Sequence, residues 1–100
     1  MTGLAFSPAA VRDIEQIGDY IAKDSVSHAQ KFVARIKAQC NKVANSPLSY
    51  PARNDLISGV RMAALGRYLI FFLVTDDEVR IERVLHGARD LQDLFNYHQK

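Results

Sequence analysis

One cysteine, Cys40, is the only thiol in this hundred-residue chain, so no disulfide can form within it. It falls on a helical apolar stripe, where a thiol serves as a small core residue. Long hydrophobic runs are missing too, and no stretch approaches the ~18 apolar residues of a membrane span. The opening MTGLAFSPAAVRD lacks the charged start and apolar run of a secretion signal. These absences point to a cytoplasmic protein in a reducing compartment, with no membrane contact.

Three further absences narrow the chemistry. His28, His86 and His98 lie far apart and beside a single cysteine, so no metal site is expected. The five glycines do not cluster, which excludes phosphate-loop and dinucleotide signatures, and no cofactor is expected. Charge of one sign is scarce: the net charge of +2 does not by itself argue for nucleic acid. Six of the eight arginines lie from Arg53 onward, yet Asp55, Asp76, Asp77, Glu78, Glu82, Asp90 and Asp93 offset them.

What is present suits one globular domain spanning 1–100, with 48% hydrophobic and 24% charged residues and no repeats. GLAF (3–6) reads as an edge strand. Ser7 is a good N-cap and Pro8 a good first helical residue. Val11, Ile14, Ile17 and Ile21 then recur at helical spacing, predicting a helix over 8–23 with Arg12, Asp13, Glu15, Gln16 and Asp19 outside. A second helix starts near Ser25 to Ser27, carries the stripe Ala29, Phe32, Ile36, Cys40, Val43, and ends at NSP (45–47). Residues 47–59 read as a loop. From Gly59 the period becomes two, predicting strands at 60–65, 67–74 and 79–86, and DLQDLFNYHQ predicts a short C-terminal helix capped by Asp90.

If Asp76 and Asp77 are the two hairpin turn residues, alternation sorts the last two strands into two faces. Tyr68, Ile70, Phe72 and Val74 share one with Val79, Ile81, Arg83 and Leu85, and the helices should cover it. The opposite face holds Leu69, Phe71 and Leu73 with Val84, rimmed by Arg67, Arg80, Glu82 and His86. Two helices cover one face of a small sheet, not both. An apolar groove edged by charge suits a protein partner, unless the C-terminal segment folds back over it.

The stretch RVLHGARDLQ (83–92) admits three readings: a catalytic end, a docking edge, or only the stop of a strand. Metal-free RNA cleavage would need an acid, a base and cations for the phosphorane charge. His86, Arg89, Arg67 and Arg61 could supply parts of that from one end of the sheet, although such residues also meet there by chance.

Taken in order, FSPAAVRDIEQIGDYIAKDS, AQKF, NSP, GVR, GRYLIFFLV and DDEVRIERVLHGARD resemble the RelE/ParE superfamily of bacterial toxins, most closely its ParE branch, over residues 4–95. The resemblance implies an α+β fold, in which an N-terminal strand and a helical hairpin pack on a twisted antiparallel sheet. The implied order is β-α-α-β-β-β with a short C-terminal helix. RelE-like members cut messenger RNA on the ribosome, whereas ParE-like members poison DNA gyrase by stabilising its cleaved-DNA state. Both are neutralised by a small antitoxin that wraps the toxin, here a ParD-like one, in a hetero-oligomer that represses its own promoter. DNA is therefore met only through the antitoxin complex.

Departures from the nuclease pattern favour the ParE branch and a protein that is not an enzyme. RelE-like nucleases carry an arginine where alignment places Tyr68, and a tyrosine or histidine where this chain has Phe95, which has no proton to give. Arg89 does match a basic position. Arg61, Arg67, His86 and Arg89 are therefore the expected recognition residues, and Leu69, Phe71, Leu73, Arg80 and Val84 the expected antitoxin-binding residues. In the alternative endoribonuclease reading, His86 and Arg89 take acid/base and phosphate roles. A degenerate relative that only binds its antitoxin is the third reading.

Overall fold

A computed structural model of the chain describes residues 3–87 together with Arg89 and Asp90. The expected C-terminal helix and Phe95 lie outside the described residues. Along the chain come β1 (Gly3–Phe6), α1 (Pro8–Ala22), α2 (Val26–Asn45), a short 3-10 turn (Pro47–Ser49), β2 (Arg61–Leu65), β3 (Tyr68–Val74) and β4 (Glu78–His86). This is the β-α-α-β-β-β order expected from the sequence. The strands form one sheet in the order β1-β4-β3-β2.

One edge departs from the antiparallel expectation. β1 runs parallel to β4, with Gly3 opposite Glu78 and Phe6 opposite Ile81, so the sheet is mixed. Parallel partners need a long connection between them, and everything from α1 to β3 supplies it.

The helices begin where their caps dictate. Ser7 Oγ accepts the Ala10 N–H at 3.0 Å, with Pro8 opening α1, and Ser25 Oγ accepts the His28 N–H at 3.1 Å to open α2. Ala10, Ile14 and Ile17 of α1 and Ile36, Cys40 and Val43 of α2 are buried against Ile70, Phe72, Val79, Ile81 and Val84 of the sheet. Burial pushes the Cys40 thiol up to about 11, so it stays protonated and inert, as a core residue should.

The β3–β4 hairpin keeps the expected register only near its turn. Val74 faces Val79, Leu73 faces Arg80 and Phe72 faces Ile81; beyond that, Phe71 faces Arg83, Ile70 faces Val84, Leu69 faces Leu85 and Tyr68 faces His86. Glu82 is an extra residue, a β-bulge that swaps the faces of everything after it. Val84 and His86, expected on the helix-free face, belong to the helix-covered one. Arg83 and Leu85 move the other way. The swap keeps the Arg83 charge out of the core and puts Val84, 2% exposed, into it.

The bulged edge is held by α1 rather than by β1, which ends at Phe6. The Ser7 N–H donates to the Ile81 carbonyl at 2.9 Å, and Ser7 Oγ donates to the Glu82 carbonyl at 2.7 Å. Asp13, expected on the outer side of its helix, is instead 8% exposed. Its Oδ2 accepts from Arg83 Nε at 2.8 Å and from the Val84 N–H at 2.9 Å, while its Oδ1 accepts from Arg83 Nη2 at 3.0 Å. Removing one member of such a pair strands the other's charge and a backbone donor. Asp13→Ala is expected to cost about 3 kcal/mol in urea unfolding, and Asp13→Asn, which can still accept from Val84, distinctly less. Equal midpoints for wild type and Asp13→Ala would refute the clamp.

Candidate functional site

Two places gather the residue types that recognition requires: the helix-free face of the sheet, and the sheet end where β4 stops.

The helix-free face is less open than alternation implied. Val60, Phe71 and Leu85 are buried on it, with Leu56, Ile57, Met62, Leu69 and Leu73 packed around them. The cover comes from residues 53–60. There the Arg53 N–H donates to the Val60 carbonyl at 2.8 Å, and Asn54 Oδ1 accepts the Gly59 N–H at 2.7 Å. Gly59 has φ 81°, a conformation that residues with a Cβ rarely adopt, and it lets the loop turn back over the sheet. Arg53 pairs through two contacts of 2.9 Å with Asp55, and its guanidinium holds that carboxyl below the usual range.

A groove of about 560 Å³ remains between this loop, the start of α1 and the turn-proximal part of the β3–β4 hairpin. Phe71, Val60, Ile57 and Leu73 give it an apolar floor and wall, and Arg12, Arg80 and Arg83 give it a basic rim. Arg80 pairs with Glu82 at 3.2 Å while its side chain stays 49% exposed. Arg12 is exposed and makes no hydrogen bond or ion pair with another described residue. Of the residues expected to dock an antitoxin, Phe71, Leu73 and Arg80 line this groove. Leu69 packs beside Phe71, outside the groove lining. Val84 faces the helices and offers a partner no surface. Phe71 is 0% exposed and is floor rather than contact.

At the other end of the sheet, Gly66 (φ 59°) turns β2 into β3, and the Gly87 N–H donates to the Arg67 carbonyl at 2.9 Å. That bond brings the exposed Arg67 and Arg89 to one end of the molecule. His86 lies on the helix-covered face beside Tyr68, not beside Arg67, and its ring meets the Tyr68 ring edge-on at 5.4 Å. Its Nδ1 accepts the Arg89 N–H at 3.2 Å, while its own backbone N–H donates to Asp90 Oδ2 at 3.0 Å. This reciprocal arrangement closes the turn after β4, with the histidine ring accepting where a serine or threonine hydroxyl does in a capping box. Arg89 reaches Asp90 Oδ1 through Nε at 3.0 Å, and that contact raises the guanidinium pKa and holds the carboxyl below its usual range.

The expected recognition residues therefore separate. Arg67 and Arg89 project at the sheet end. His86 orients the backbone of Arg89. Arg61 is tied down elsewhere, its Nη1 donating to the Tyr50 carbonyl at 2.7 Å. The groove residues Arg12, Ile57, Val60 and Arg83 were not anticipated. Among the described residues no three histidine, cysteine or acidic side chains converge to hold a metal ion. Nor is any described helix long and apolar enough to cross a membrane.

Comparison with known proteins agrees with the fold. The family described as the ParE toxin of type II toxin-antitoxin system, parDE, matches residues 4–91. Toxin RelE2 of Caulobacter vibrioides (strain ATCC 19089 / CIP 103742 / CB 15) is 30% identical over 91 residues, which is 89% of this chain and 99% of that protein. A solved structure described as a chromosomal ParDE TA system from P. aeruginosa superposes with a TM-score of 0.75 at 25% identity, over 86% of this chain and 96% of that one.

The closed turn at the sheet end has a pH signature. Because Arg89 holds the Asp90 carboxyl below the ordinary value of 3.8, its stabilising contribution is fully present above about pH 4 and is lost as pH falls through the lowered value. The His86 amide resonance is expected to shift along that acid limb, and the transition to vanish in Asp90→Asn. A pH-independent amide would refute this closure.

Proposed function

The chain belongs to the ParE toxin family of type II toxin–antitoxin systems, and on that premise we propose that it is a protein-binding poison of DNA gyrase neutralised by a ParD-like antitoxin. The observation that carries this reading is the occupation of the sheet end. The histidine there gives its Nδ1 to a backbone turn, and Tyr68 is packed between Phe32 and His86 at ring distances of 5.3 and 5.4 Å. Both rings are held in place by these contacts and serve the packing of the sheet end. Arg67 and Arg89 remain outward, as a surface that recognises rather than cleaves. Arginine suits that role because its planar fork meets carboxylate or phosphate at two points.

The antitoxin takes the groove on the helix-free face, in a toxin–antitoxin hetero-oligomer through which DNA is met indirectly. Leu73 and Ile57 receive an apolar side chain, while Arg12 and Arg80 receive carboxylates. A second reading, a ribosome-dependent endoribonuclease, is supported by the name of the relative Toxin RelE2 and by Arg89, which shares a small cleft with Gln16, Tyr20 and Tyr68.

Purified protein should make linear DNA accumulate with gyrase and leave translated messages intact. Message cleavage without gyrase inhibition would reverse the two readings. Arg89→Ala is expected to weaken the gyrase effect at least about tenfold while antitoxin binding persists. Leu73→Glu should do the opposite, weakening antitoxin affinity by about a hundredfold and sparing the gyrase effect. Unchanged killing by a folded Arg89→Ala variant would remove Arg89 from the target surface.

A further inference from the structure

The outward side of the helical hairpin carries a second apolar depression, on a different side of α1 from the groove and cleft described above. Two shallow cavities of about 460 Å³ each share Gly18, Asp19, Val33 and Lys37, so they form one continuous groove between α1 and α2. Near opposite ends of it stand Val11, 44% exposed, and Val26, 61% exposed. Gly18 sits at the middle, where a Cβ would meet Val33 Cγ2 at 3.3 Å; the missing side chain keeps the helices close and the groove floor shallow. Apolar surface in a continuous line along two helices is what helix-on-helix packing consumes.

The charges along the rims are segregated. On the α1 rim stand Glu15 and Asp19, and on the α2 rim stands Lys37. Glu15 and Lys37 line the same cavity from opposite rims, and the close approach of Gly18 to Val33 in these antiparallel helices sets position 15 about level with position 36, next to Lys37. None of the three forms an ion pair with another described residue.

We propose that this face is the interface of a homodimer, in which a second copy of the chain packs hairpin on hairpin about a two-fold axis running along the groove. A closed two-fold interface must be self-complementary, and two axes in the plane of contact would bring the faces together. An axis across the helices sets α1 on the partner's α1 and opposes acidic rims. An axis parallel to the helices sets α1 on the partner's α2 at equal height, so that Lys37 of each copy meets Glu15 of the other. The rim charges select the second arrangement. The valines at the ends are then covered, and a four-helix layer results. The antitoxin groove is floored by the helix-free face of the sheet and meets α1 through Arg12 and Gln16, not through Val11 and Glu15, and Arg67 and Arg89 lie at the sheet end, so the dimer leaves both accessible.

The test is the mass of the purified full-length chain in sedimentation equilibrium at tens of micromolar. A dimer is expected. Lys37→Glu and Glu15→Lys should each raise the dissociation constant at least about tenfold, because each alone opposes like charges twice. Mixing the two variants should restore a dimer, since every contact in the mixed pair is again of opposite sign. Circular dichroism confirms that each variant is folded. A monomeric wild type, a dimer indifferent to either reversal, or a mixture that fails to reassociate would each overturn the proposal.

Discussion

A buried carboxylate in the second turn of α1 settles how the helices meet the sheet. Asp13 would be prohibitively costly inside the protein if its charge stood alone. It is tolerated because three donors converge on it, two from the Arg83 guanidinium and one from the Val84 backbone. Those donors become available together only because β4 carries an extra residue at Glu82. The bulge frees Arg83 from the core side and turns Val84 inward. Ser7, two hydrogen bonds upstream of the same clamp, closes the carbonyls that β1 leaves unpaired when it ends at Phe6. Helix cap, bulge and buried ion pair are therefore one device, and the angle of the hairpin over the sheet follows from it.

That device also separates the two candidate surfaces. Without the bulge, His86 would share a face with Leu69 and Phe71, and the sheet end would merge with the apolar groove. With it, His86 turns toward the helices, meets the Tyr68 ring edge-on, and gives its ring nitrogen to the turn that carries Arg89. The groove retains Leu73 and Arg80, and gains Arg83. On the proposed reading, a partner in the groove and a target at the sheet end are recognised by different side chains, which suits a toxin of a toxin–antitoxin pair.

Much of this was legible in the sequence. Ser7 and Ser25 announced both helix starts, the three-and-four spacing identified the buried stripes, and period two located the strands. Local rules govern those features, so local patterns reveal them. The β1–β4 pairing was not legible, because nothing in four residues distinguishes a parallel edge from an antiparallel one. Asp13 misled because helical spacing places it on the border of the apolar stripe, and its partners lie some seventy residues away. The bulge did leave a trace. In Ile81-Glu82-Arg83-Val84 two charged residues stand where alternation allows one, and strict alternation would have put Arg83 in the core. The cover over Phe71 left none, since residues 53–60 show turn chemistry without showing where the turn leads.

The burial of Phe71 changes what the groove can be. A fully covered aromatic ring fixes the depth of a site without contributing affinity through its own exposed area. On the reading proposed above, selectivity comes from the rim: the half-buried Leu73 and Ile57, Arg12, which pairs with no other described residue, and Arg80 with its exposed guanidinium. Two of the groove's lining residues, Asp13 and Arg83, are also the clamp that holds α1 on the sheet. A ligand seated there packs against the joint on which the fold depends, and anything that binds the native state alone stabilises it by mass action. On the reading proposed above, the antitoxin that silences this toxin also braces the helix–sheet joint against opening.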